Sequence, residues 1–431
     1  MSLTSTDWQK VKKDLLLAAS SHFFYKVAGY LILSILTRYL AKEEMGEFFF
    51  AAALANFFAL FANLGTDNYI IREVAGNPEK ASQYFSEVIS LRLLLFSLYF
   101  IILNGFAFIF KPDLLLVIFL TSIYDSLDGL YQSFGALFLG LKKVIYNVIA
   151  GVSTRLFLVG LIVAIVASKG GLTEILAGYI SANALLVLIA FIIFRLKVGR
   201  LKFSWSEDCI RKVVQISFPF FLMSALGLVH FKVDTLMLGF LKPYSVVATY
   251  EAAYKLLEAS RFLILPIGMI FFPICSEMAA GQNWHSIRTL FRKMLLVTGI
   301  IGGGITLAVV MGAGFIMPAV FGAKYNDSIS VLRVLYLSVP VVYMGMIGSL
   351  VGKSIFLEKK IVKIMVVCVT INIILNGITI PFWGAPGAAW TTFVSETILA
   401  VWLIKLNFQE LRVLCSREPV GLLREELDHV L

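Results

Sequence analysis

Charge is scarce in this sequence. Asp, Glu, Lys and Arg together make 15% of 431 residues, against roughly 25% in soluble globular domains. Cysteine is scarce too. Cys209, Cys275, Cys368 and Cys415 are scattered, with no paired spacing for zinc and no dense framework of the secreted type, so structural metal and a disulfide scaffold are not expected. Histidine occurs only four times. No polar segment is long enough to fold into a separate domain, and the external connections are all short, which argues against a soluble enzyme or a membrane enzyme with a catalytic external loop. The apolar run after Lys10, Lys12 and Lys13 reaches Thr37 with no small-residue cleavage site; it is too long for a signal-peptide core and reads as a membrane span.

Apolar sequence is what the chain has in excess: 59% of residues are hydrophobic and mean hydropathy is +0.88. At about 20 apolar residues per bilayer crossing, the pattern predicts an all-α polytopic membrane protein with about 12 transmembrane helices. The spans fall at 15–37, 46–71, 88–110, 114–141, 144–168 and 172–194, then at 213–240, 246–273, 294–321, 330–357, 361–383 and 385–406. Lys and Arg between spans are strongly one-sided. Only Arg38, Lys42, Lys111, Lys169, Lys242 and Lys324 fall opposite the N-terminal side, so the positive-inside rule puts both termini in the cytoplasm. The net charge of +10 is therefore read as a topology signal and lipid-headgroup contact, and no nucleic-acid partner is expected.

The longest internal polar stretch, 195–212, divides the spans into two sets of six. The expected organisation is an N-terminal six-helix lobe at 1–194, a cytoplasmic linker at 195–212, and a C-terminal six-helix lobe with a short cytoplasmic tail at 213–431. The lobes also echo each other: Tyr39-Leu40 with Gly46 and Phe48, then Ala51-Ala52-Ala53, parallels Phe240-Leu241 with Ala248 and Tyr250, then Ala252-Ala253. Internal pseudo-symmetry of this kind is a transporter trait.

Charges inside the spans are the candidate functional residues, because each costs about 2.5–3.5 kcal/mol at the bilayer centre unless paired or hydrated. The cations are Lys26, Arg155, Lys232, Lys255 and Arg261, with Arg92, Arg333 and Lys353 nearer the surfaces; the acids include Asp125, Asp128, Asp234, Glu251, Glu258 and Glu396. Lys26 has no acid at helical spacing within its span, which points to an anionic ligand or to a partner on another helix. Glu251, Lys255, Glu258 and Arg261 share one side of a helix; they line a cavity or form a self-paired ladder. Asp125 and Asp128 are either a proton or cation site, since close carboxylates raise one another's proton affinity, or the counter-charge of Arg155. Glu258 and Glu396 are further coupling candidates. Asn372 and Asn376, four apart, read as interhelix glue.

The stretch Thr37-Arg38-Tyr39-Leu40-Ala41-Lys42-Glu43-Glu44-Met45-Gly46-Glu47-Phe48, continuing to Asn63-Leu64-Gly65 and Arg72-Glu73-Val74-Ala75, resembles the opening of polysaccharide transporters, the lipid-linked oligosaccharide flippases of the multidrug/oligosaccharidyl-lipid/polysaccharide (MOP) exporter superfamily. The second-lobe counterpart is similar at Asp234, Gly239, Tyr250, Ala253, Lys255, Leu256, Pro266 and Pro273. Ala41, Met45 and Ala248 depart from the family pattern. The resemblance implies two pseudo-symmetric lobes and no enzyme activity. It implies translocation of a polyprenyl-diphosphate-linked oligosaccharide from the cytoplasmic to the outer leaflet by alternating access, for cell-surface polysaccharide biosynthesis at the cytoplasmic (inner) membrane. On this reading Lys26, Lys255, Arg261, Lys232 and Arg155 would meet the substrate. The implied partners are the lipid-linked oligosaccharide, membrane lipids, a proton or sodium ion and a polysaccharide polymerase; no cofactor is implied. A cation-coupled multidrug exporter of the same superfamily is the alternative.

Overall fold

A computed structural model describes the backbone of residues 5–202 and 207–417. Those residues are helical almost throughout, and no strand occurs among them. In chain order the helices are α1 (Ser5–Tyr39), α2 (Lys42–Asn63), α3 (Thr66–Gly76), α4 (Ala81–Phe110), α5 (Leu115–Gly140), α6 (Val144–Ala167) and α7 (Leu172–Lys197). There follow α8 (Glu207–Leu241), α9 (Tyr244–Arg261), α10 (Leu265–Ala280), α11 (Trp284–Phe321), α12 (Ser328–Leu337), α13 (Val339–Ser354) and α14 (Glu358–Arg417). Among the described residues nine helices or continuous helix pairs are long and apolar enough to cross a membrane, or ten if α9 and α10, bent by 46°, make one span. The lipid-facing side chains are correspondingly apolar: Ile101, Phe108, Ile109 and Phe110 of α4 are all exposed.

Several expected spans are interrupted, each for a local reason. The span expected at 46–71 ends at Asn63, because Leu64 and Gly65 both take the left-handed conformation (φ 47° and 71°) and a new helix starts at Thr66. Gly65 is required there: a Cβ would lie 2.8 Å from the Phe221 amide nitrogen and the Ser217 carbonyl oxygen of α8. The span at 246–273 breaks after Arg261, and Pro266 sits in the first turn of the next helix, where its missing N–H costs nothing. Helix α14 contains a non-helical Gly384 (φ 58°, ψ −131°). Thr379 bonds Thr391 (2.9 Å), Asn372 bonds Ser395 (3.0 Å), and Lys360 pairs with Glu410. Contacts that widen in sequence away from the glycine define an antiparallel hairpin, and Gly384 is the residue between the spans expected at 361–383 and 385–406. Asn372 is interhelix glue through its bond to Ser395, and Asn376 supports it from the same arm by donating to Asn372 (3.0 Å).

The chain falls into two compact units, Met1–Ala248 and Thr249–Leu431. In the first, α8 packs on α2, α3 and α4, and an aromatic core joins Phe85, Phe134, Phe138 and Phe194. In the second, α11, α13 and α14 pack together around Phe271, Cys275, Phe291, Ile347 and Val351.

Candidate functional site

At the break between α2 and α3, a guanidinium supplied by α4 binds side chains on both sides of it. The spans put Arg92 toward a membrane surface; the structure encloses it completely, at 0% exposure. Its Nε donates to Thr66 Oγ1 (2.8 Å), Nη1 to the Gly129 carbonyl (2.8 Å) and to Ser133 Oγ, and Nη2 to Asn63 Oδ1 (2.5 Å). Nη2 also lies 2.8 Å from Asp67 Oδ1. One guanidinium thus ties α2, α3, α4 and α5 together, which only its rigid five-donor fork can do. Gly129 permits the close approach of α4 and α5: a Cβ would meet Phe96 Cζ at 2.4 Å.

Beside this network lies a cavity of about 260 Å³. Its polar lining is Asn56 and Asn63 of α2, Asp67 and Asn68 of α3, Asp125 and Gln132 of α5, and Ser224 of α8. Of these only Asp125 is among the intramembrane charges singled out in the sequence; Asp67, near the end of the expected 46–71 span, is not, although Asn63-Leu64-Gly65 beside it lies in the stretch that carries the family resemblance. Asp125 accepts a hydrogen bond from the Tyr99 hydroxyl (3.2 Å), and Asp128, one turn on, accepts from Gln132 Nε2 (2.8 Å). Arg155 stacks its guanidinium 3.7 Å from the Tyr25 ring centroid, and its Nε is buried without a hydrogen-bond partner. Lys26 and Lys232 both interact with other groups of the protein. For Lys26 that interaction is not visible from helical spacing, which sees only the acids on its own helix.

In the second unit the expected cation stripe is matched by carboxylates. Lys255 Nζ donates to Glu258 Oε2 (2.7 Å) and lies 3.9 Å from Glu251 Oε2. That is the self-paired ladder the spacing allowed. Arg261 leaves the ladder and pairs across to Glu396 Oε1 of α14 at 3.0 Å. The break after Arg261 frees carbonyls at the end of α9, and the Tyr343 hydroxyl donates to that of Ser260 (2.5 Å).

Of the residues carrying the family resemblance, Glu43, Gly46 and Gly239 are packing and capping residues of the first unit. The Glu43 carboxylate accepts from the Tyr244 amide (2.9 Å) and the Ser245 amide (3.0 Å), capping α9. Gly46 lies against the Tyr244 backbone, where a Cβ would meet the carbonyl oxygen at 1.8 Å, and a Cβ on Gly239 would meet Phe50 Cδ2 at 2.0 Å. Lys111 donates to the Gly239 carbonyl (2.8 Å) and sits 5.1–5.3 Å from the ring centroids of Phe50, Phe240 and Tyr244. Burial pushes its ammonium below the usual lysine range, and neighbouring Asp113 opposes that shift.

Among the described residues no three His, Cys, Asp or Glu side chains converge as a metal site. The arrangement offers hydrogen bonding and charge, which suits a binding and transport site. The comparisons with known proteins agree. A candidate O-antigen transporter of Escherichia coli K12 is 22% identical over 377 residues, covering 84% of this chain and 88% of that protein. The structure of an inward-facing multidrug resistance MATE family transporter of the MOP superfamily matches with a TM-score of 0.77 at 16% identity, over 91% of this chain and 96% of the other. Lipid II flippase MurJ in an inward closed conformation matches with a TM-score of 0.71 at 15% identity, over 92% and 90%. These likenesses make the fold that of a MOP-superfamily transporter. The profile of the family described as polysaccharide biosynthesis protein matches residues 11–279, more than half of the chain, and the chain therefore belongs to that family.

Proposed function

We propose that this protein is a flippase that carries a polyprenyl-diphosphate-linked oligosaccharide from the cytoplasmic to the outer leaflet by alternating access. The observation that carries the reading is a cavity walled by amides and carboxylates inside a multi-pass membrane protein whose relatives include a candidate O-antigen transporter. A sugar-diphosphate headgroup in hydrocarbon would lose its hydration, and each unpaired polar group would cost several kcal/mol. A polar path replaces water for the headgroup while the isoprenoid tail stays in lipid.

In this scheme Lys26, Arg155, Lys232, Lys255 and Arg261 supply positive charge for the diphosphate. Lys255 and Arg261 do so by exchanging their carboxylate partners for the substrate. Asp125, Asp128, Glu258 and Glu396 are the groups through which a proton or sodium ion would couple. The moving bodies are the lobes at 1–194 and 213–431, so the contacts of α8 with α2 and α3 are the ones that part during the cycle. With both termini in the cytoplasm, the potential of an energised cytoplasmic membrane favours outward movement of each negative charge by about 2.3 kcal/mol per 100 mV.

A cation-coupled multidrug exporter is the second reading, favoured by the two carboxylates in the cavity wall. Reconstitution in proteoliposomes separates the two. The flippase reading expects a polyprenyl-diphosphate-linked oligosaccharide to reach the far leaflet and expects no accumulation of ethidium. Ethidium transport with a static oligosaccharide lipid would overturn it.

A further inference from the structure

We propose that the cavity of the first unit holds one sugar ring of the headgroup and selects a neutral or amino sugar over an acidic one. This rests on the flippase reading and assigns it a sugar-recognition subsite.

Size is the first argument. At about 260 Å³ the cavity falls just below the roughly 300–1,000 Å³ of pockets for drug-sized ligands, so it accommodates one small polar unit of an oligosaccharide. Chemistry is the second. Asn56, Asn63, Asn68 and Gln132 offer both donors and acceptors, while Asp67 and Asp125 offer acceptors alone. Vicinal sugar hydroxyls donate and accept in turn, and this mixture is their complement. Phe96 lines the same space and presents an apolar surface to the C–H face of a ring.

The wall is also built to hold its shape. Asn63 accepts from Arg92 (2.5 Å) and donates to Asp67 Oδ2 (3.1 Å), so the arginine behind the wall orients both side chains. Gln132 uses one N–H on Asp128 (2.8 Å) and Asn56 one on the Ala52 carbonyl (2.7 Å). Each keeps its side-chain oxygen and a second N–H for a ligand. A bare cation is a poorer fit, because such ions are held by several converging oxygens at about 2.3–2.6 Å, and no cluster of three acidic, His or Cys side chains occurs among the described residues.

Charge gives the selectivity. Arg92 is beside Asp67, whereas Asp125 accepts from a neutral hydroxyl, that of Tyr99. An ionised Asp125 would therefore repel a uronic acid placed beside it, whereas a neutral or amino sugar meets no such repulsion.

The test is direct binding to the purified full chain in detergent of three probes that share one lipid and one diphosphate: farnesyl diphosphate, farnesyl-diphosphoryl-N-acetylglucosamine and farnesyl-diphosphoryl-glucuronate. The N-acetylglucosamine probe should bind about tenfold more tightly than farnesyl diphosphate, the effect of one to two net hydrogen bonds. The double variant Asn56→Leu/Gln132→Leu, with wild-type melting, should erase that preference and leave farnesyl diphosphate binding unchanged. Asp125→Asn should raise affinity for the glucuronate probe by about fivefold or more, as expected when a like charge is removed. Equal binding of the sugar-bearing and sugar-free probes by the wild-type protein, or an intact preference in the double variant, overturns the subsite while leaving the flippase reading in place. No gain for glucuronate in Asp125→Asn overturns the charge selectivity. Failure of the folded wild-type protein to bind any diphosphate probe overturns the flippase reading and the subsite with it.

Discussion

Arg92 and Asp67 meet at 2.8 Å, with the arginine wholly enclosed and the carboxylate 23% exposed. The pair therefore has two sides. Its inner side is the four-helix hydrogen-bond network of the guanidinium; its outer side is the wall of the polar cavity. An ion pair in such a place adds little net stability by itself, but removing one partner strands the other in low dielectric.

Arg92→Leu should accordingly destabilise the protein by about 3–5 kcal/mol, the range for breaking a buried charge pair. Arg92→Lys should recover only part of the loss, because an ammonium has three donors and no planar fork. Thermal melting in detergent measures both. A melting temperature unchanged in Arg92→Leu would contradict the structural role assigned to the network.

Gly46→Ala should be worse tolerated than its apolar setting suggests. Its Cβ would lie 1.8 Å from a backbone oxygen, whereas the Cβ of Gly239→Ala meets the Phe50 ring at 2.0 Å. A ring can rotate away and a helix backbone cannot. Overpacking costs typically about 1–3 kcal/mol, and Gly46→Ala should exceed Gly239→Ala in lost melting temperature; the reverse order would refute the backbone-contact argument.

Arg261→Gln and Glu396→Gln each remove one member of the Arg261–Glu396 pair. Either alone should lower membrane abundance, by roughly 3–5 kcal/mol of stability for a buried pair, and the double variant should recover most of it. If Arg261 also serves the diphosphate, the recovered double variant will stay defective in oligosaccharide-lipid transport. Full transport by the double variant would make the pair purely structural.

Topology has a simple reporter. Cys275 and Cys368 are buried and should be silent to polar reagents, so a Cys209→Ser protein reports through Cys415 on α14. An impermeant maleimide added to intact cells should leave Cys415 unlabelled and should label it after permeabilisation. Labelling of intact cells would place the C-terminal side outside.

Of the candidate cations, spacing along the helix was enough to pair Lys255 with Glu258, because partners three residues apart are neighbours on any helix. It was not enough for Arg261, whose partner Glu396 is 135 residues away, nor for Lys26, whose lack of a local acid did not leave it without an interaction. The cavity residues were hidden for a different reason. Asn56, Asn63, Asn68 and Gln132 are uncharged, and one or two amides in a helix carry no periodic signal.

What the sequence determined by itself is the membrane-spanning, all-helical architecture, down to the hairpin at Gly384. Lipid supplies no hydrogen bonds, so every crossing must be a long apolar helix, and charges and glycines mark the ends in the local text. Only the tertiary structure decided that Arg92 is enclosed, that Glu43 caps α9 and that Arg261 turns to Glu396. Hydropathy records whether a side chain avoids water, while the identity of its partner depends on which helices pack side by side, and that is settled by shape and by close glycine contacts between distant parts of the chain.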